Sequence, residues 1–94
     1  SQADRDAYEY VEKQTKAELN GLQREISKLE RDVKTLRNGA ERAKKLSNLA
    51  HKRLELAQKK KAESLRQQAF LEKQKAAMEK RLANLKSRIG PVEE

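Results

Sequence analysis

The chain contains no cysteine, which excludes disulfides and thiolate metal sites and fits a reducing compartment, so a cytoplasmic setting is expected. It has no run of eighteen apolar residues and no signal-peptide pattern at its start, so neither a membrane span nor secretion is indicated. It does not begin with Met, as expected of a piece cut from a longer protein. His51 is the only histidine, so one chain cannot assemble a histidine cluster for metal binding or nucleophilic catalysis, and it is read as a surface helical residue. Aromatic residues are limited to Tyr8, Tyr10 and Phe70, and glycine-rich phosphate loops are missing. No catalytic residues, cofactor or metal ligands are expected, and an enzyme is not.

What the chain has instead is charge. Charged residues make up 40% of its 94 positions against 35% hydrophobic ones, too little apolar material for a sizeable globular core. Burial must then take the form of a narrow seam. The abundance of Ala, Glu, Lys, Leu, Arg and Gln, which lose little side-chain entropy in a helix, points to an all-α chain.

The seam is visible. Leu19, Leu22, Ile26, Leu29, Val33 and Leu36 recur at alternating steps of three and four, which keeps one face of a helix apolar. With Leu19, Ile26 and Val33 at heptad position a, the register weakens towards the N-terminus through Thr15, Glu12 and Tyr8. Towards the C-terminus it runs in phase through Ala40, Ala43, Leu54, Leu71, Met78, Leu82, Leu85 and Ile89. A sustained heptad of this kind is the condition for coiled-coil packing. Lys61, Gln68 and Lys75 interrupt it, while Leu46, Leu49, Leu56, Leu65 and Phe70 fall off the line as a second apolar strip.

Ser1 with Asp4 fits a helix N-cap. Glu and Lys at four-residue spacing, such as Glu30 with Lys34, would each add about 0.2 to 0.5 kcal/mol on the solvent face. Asn38-Gly39 is an interruption, but the apolar line continues in phase beyond it, so Gly39 is read as a tolerated helical or close-packing position. Ser47-Asn48, near the chain midpoint, is taken as the turn. The expected organisation is one module, with a helix over about 3–46, a turn at about 47–48, a helix over about 49–89 and a tail over 90–94. Gly90-Pro91 is the stop signal.

Two arrangements would hide the leucines. A parallel two-stranded rod, roughly 130 Å long at 1.5 Å per residue, suits Ile26 and Val33 at a but sets Lys61 and Lys75 against their own copies. An antiparallel two-helix hairpin avoids this and is favoured, with pairs such as Leu19–Leu85, Leu22–Leu82, Ile26–Met78 and Val33–Leu71. The rod would make the chain a self-associating part of a scaffold or cytoskeletal protein.

Leu22-Gln23-Arg24-Glu25-Ile26, followed by Gly39-Ala40-Glu41-Arg42-Ala43, resembles the first helix of the Rho-effector homology-region hairpin of protein kinase C-related kinases and their relatives, the resemblance covering roughly residues 19 to 89. That family has a basic-hydrophobic first helix, a Gly-Ala-Glu motif and a second helix ending in a leucine heptad, which Met78, Leu82, Leu85 and Ile89 resemble. The resemblance implies an antiparallel coiled coil that binds a GTP-loaded Rho-family GTPase without catalysis, a signalling module, with Gly39, Ala40 and Glu41 as its motif positions.

The charge is uneven. Residues 1–36 hold eight acids and seven bases, whereas residues 37–89 hold sixteen bases and five acids. Lys44, Lys45, Lys52, Arg53, Lys59 and Lys60 would attract any polyanion and are a candidate partner surface. Side chains that stack on or read bases are scarce, so a protein partner is preferred over nucleic acid or an anionic membrane.

Overall fold

A computed structural model describes residues 1–89, and two α-helices account for nearly all of them: α1, Gln2–Thr35, and α2, Ala40–Ile89. Among the described residues there is no strand. Gly90-Pro91, read above as the stop signal, lies outside the described residues. The chain divides into two units, Ser1–Glu63 and Ser64–Glu94, with the division inside α2.

In the first unit α1 and the leading part of α2 pack antiparallel. Leu22, Ile26 and Val33 of α1 and Leu49 and Leu56 of α2 are buried together, with Leu19 and Leu29 packed against them. The fold class is therefore the expected all-α antiparallel hairpin, and the parallel two-chain rod is not the arrangement found. Along α1 the burial follows the heptad read from the sequence, extending to half-buried Tyr8, Glu12 and Thr15.

The turn lies elsewhere than expected. Residues 36–39 connect the helices, while Ser47 and Asn48 are helical and exposed. The break stands where two poor helix formers, Asn38 and Gly39, adjoin. Arg42 completes it: its Nη1 donates to the carbonyl oxygens of Val33 and Leu36, each at 3.0 Å, so a guanidinium sits on carbonyls at the negative end of α1. Leu36 is extended (φ −89°, ψ 140°), and its N–H donates to the Val33 carbonyl at 3.3 Å. Gly39 occupies the N-cap position of α2, since its carbonyl accepts from the Ala43 N–H at 3.0 Å. It is neither helical nor closely packed, for a Cβ there would meet nothing within 4 Å.

Four non-helical residues reset the helical phase. The buried line of α2 runs through Arg42, Lys45, Leu49, Lys52, Leu56, Lys59 and Glu63, two residues away from the in-phase continuation of α1. At about 100° per residue a two-residue shift moves the buried face to nearly the opposite side of the helix. Leu49 and Leu56, assigned to the off-seam strip, are core, whereas Leu54, assigned to the core, is 57% exposed.

Gly21 lies inside α1, where a Cβ would meet only Arg24 Nη2 at an ordinary 3.8 Å. Glycine in a helix interior costs about 1 kcal/mol relative to alanine. Gly21→Ala should raise the unfolding free energy by about that amount, read as a higher urea midpoint with an unchanged slope, and a lower midpoint would mean the position is tighter than described.

The second unit, taken by itself, is helical from Ser64 to Ile89. Arg66, Phe70 and Gln74 are half-buried, and every residue from Lys75 to Ile89 is exposed.

Candidate functional site: a charged ladder and an open apolar line

Three of the cross-helix ion pairs in the first unit form a regular series. Glu18, Glu25 and Asp32 of α1 meet Lys59, Lys52 and Lys45 of α2. Each carboxylate is one heptad from the next, and so is each lysine, running in the opposite sense. The carboxylates stand immediately before Leu19, Ile26 and Val33, at the edge of the α1 seam. The lysines stand on the buried line of α2 itself, their half-buried stems ending at the edge where the carboxylates wait. Lys52 Nζ is 3.0 Å from Glu25 and 3.8 Å from Glu55; Lys45 Nζ is 3.7 Å from Asp32.

This ladder defines the register. It places Leu22 and Ile26 in one core with Leu49 and Leu56, so the expected partners Leu82 and Met78 are replaced. Glu30, expected to pair along α1 with Lys34, instead accepts from Arg53 across the hairpin at 3.2 Å. Exposed pairs contribute about 0 to 1 kcal/mol each, so the ladder selects orientation and register more than it holds the hairpin together.

The carboxylate of Glu25, hydrogen-bonded to Lys52, raises that lysine's pKa above the ordinary 10.5, and Glu18 does the same for Lys59. A lysine with a higher pKa folded than unfolded contributes its stability in full below 10.5 and loses it as pH rises through the folded value. Thermal melts followed by circular dichroism should hold a constant midpoint between about pH 7 and 9 and decline only above about 10.5. A decline already complete by about pH 9 would contradict the lysine ladder.

The basic surface expected from the sequence is thus largely engaged within the chain. Lys45, Lys52, Arg53 and Lys59 all face carboxylates, while Lys44 and Lys60 are exposed. Arg53 and Lys60 border a shallow groove beside Ile26 and Leu56. His51 is exposed, with Nδ1 2.7 Å from the Ser47 carbonyl oxygen one turn back. Gly39 closes the turn, Ala40 and Glu41 open α2, and all three are exposed. Leu36, expected as the last core position of the first arm, is half-buried within the turn.

The remaining predicted core residues lie in the second unit, and none is buried: Leu71, Met78, Leu82, Leu85 and Ile89 are 47 to 78% exposed. Their spacing is the heptad that the sequence displays, but it forms a surface line. Leu71, Met78, Leu82 and Leu85 border an open groove with the stems of longer side chains. Among the described residues no three His, Cys, Asp or Glu side chains are grouped to hold a metal, and no helix is long and apolar enough to cross a membrane. Comparisons with protein-family models, curated proteins and solved structures found no match. The hairpin is therefore defined by its own geometry.

One signal in the sequence could have exposed the split into two lines. Leu49 and Leu56 are seven apart, and Lys45, Lys52 and Lys59 share their heptad, with acids Glu18, Glu25 and Asp32 at the same interval in the other arm. Matching charged heptads of opposite sign are visible before any coordinates are.

Proposed function

We propose that this chain is a non-catalytic protein-association module. The observation that carries the reading is the open apolar line of α2, in which five large aliphatic side chains at a and d spacing are left in water. Isolated exposed leucines need no explanation, whereas a periodic row of them is the surface by which one helix meets another. The first unit supplies a scaffold whose own seam is already covered by Leu49 and Leu56.

The narrower reading is that the hairpin engages a GTP-loaded small GTPase of the Rho family. It is supported by the resemblance set out above and by the antiparallel hairpin that this resemblance implies. Calorimetric titration with Rho-family GTPases carrying a GTP analogue or GDP tests it. Binding tighter to the GTP form by at least about tenfold, or about 1.4 kcal/mol, is expected. Equal affinity for the two forms, or none, removes the GTPase while leaving the association module.

A further inference from the structure

We propose that Met78–Ile89 is a docking site for an amphipathic helix of another protein, one whose apolar seam is bordered by acidic residues. The inference rests on the association reading and is independent of the GTPase. Met78, Leu82, Leu85 and Ile89 alternate at steps of four, three and four, and all are about half exposed or more. Arg81, Lys86 and Arg88 occupy the positions beside this line, with Glu79 the single acid among them. Residues 71–89 carry six bases, Lys73, Lys75, Lys80, Arg81, Lys86 and Arg88, against the two acids Glu72 and Glu79.

Charge decides among the occupants. A second copy in parallel would set Arg81 beside Lys86 of that copy and Lys75 against its own equivalent. Reversing it to bring Glu79 to Lys86 also brings Arg81 to Arg88. Each self-pairing therefore brings like charges together, and two segments of the same net sign repel. An anionic membrane would satisfy the bases, but a membrane-surface helix presents a wide apolar face with bulky aromatic anchors. Here the line is one residue wide at each step, carries no aromatic side chain and has Glu79 at its edge. A narrow a and d line is shaped for knobs-into-holes contact with another helix. Acidic residues at the edges of that helix would meet Arg81, Lys86 and Arg88.

The test uses the full chain and two synthetic peptides of about four heptads, long enough to be helical when bound. Both carry leucine at a and d; one has glutamate at e and g, the other lysine. The glutamate peptide is expected to bind at least about tenfold more tightly than the lysine peptide and to weaken as salt is raised. Leu82→Glu should lower that affinity at least about thirtyfold, as for a central apolar anchor. Leu54→Glu, similarly exposed but in the first unit, should leave it unchanged. Equal binding of the two peptides, no binding, or indifference to Leu82→Glu would overturn the proposal. So would a self-dimer in sedimentation that Leu82→Glu dissolves, or binding to phosphatidylserine vesicles that Leu82→Glu abolishes. If the peptides fail while a GTP-loaded GTPase still binds, only the docking site is lost; if both fail, the association reading falls with it.

Discussion

Truncating Leu49 to alanine is expected to destabilise the hairpin by about 2 to 4 kcal/mol, whereas the same change at Leu54 should cost no more than about 0.5 kcal/mol. The two leucines are five residues apart on one helix, so propensity and composition cannot tell them apart. Burial can: Leu49 is 4% exposed and belongs to the core with Ile26 and Leu56, while Leu54 is 57% exposed. Removing the Leu49 side chain forfeits its transfer free energy and leaves a void that two facing helices can close only in part. With five buried side chains in the core, such a loss is a large share of the total stability. A drop of roughly 10 to 30 °C in the melting temperature corresponds to it for a domain of this size. Thermal melts of the two variants by circular dichroism give the answer. Equal losses, or a larger one at Leu54, would mean that α2 presents the other face to α1.

The second large effect is expected at Arg42. Its guanidinium donates two hydrogen bonds, to the carbonyl of Val33 in the last turn of α1 and to that of Leu36 just beyond it, and hydrogen bonds from a charged group are worth about 1.5 to 3 kcal/mol. The cation also sits where the α1 dipole is negative, adding about 0.3 to 1 kcal/mol. Arg42→Ala should therefore cost about 2 kcal/mol or more in urea denaturation, with hydrogen exchange rising first at the C-terminal end of α1. Both bonds come from Nη1, and Arg42→Lys keeps the charge but ends in a more strongly hydrated ammonium on a differently shaped stem, so it should recover only part of the loss. If alanine is tolerated without change, the turn is held by Asn38-Gly39 alone.

These two residues also show how far the primary structure could be read. The heptad of α1 was legible from Tyr8 to Val33 because each of its apolar positions is satisfied by one rule, the 3.6-residue period, over an uninterrupted helix. The same rule carried past Leu36 led to Leu54, Leu71, Met78, Leu82, Leu85 and Ile89 as core. That extrapolation assumed one unbroken phase, and four non-helical residues broke it. In the sequence Asn38-Gly39 and Ser47-Asn48 both read as interruptions, because side chains that compete for the backbone look like a turn wherever they fall. In the folded chain Ser47 and Asn48 are exposed on α2, where their polar side chains carry no burial cost.

By itself, then, the amino-acid sequence determined that this protein is helical, that its burial is a narrow seam and that the two arms differ in charge, since all three follow from local composition and period. Which residues of α2 face α1 was decided only in three dimensions. A turn of four residues rotates everything after it to another face, and the cost of that rotation is settled by groups outside the local sequence: Arg42 against the Val33 and Leu36 carbonyls, and Lys45, Lys52 and Lys59 against Asp32, Glu25 and Glu18 on the other helix. The aliphatic row from Leu71 to Ile89 was legible as a seam for the same local reason, but only the fold left it open to water.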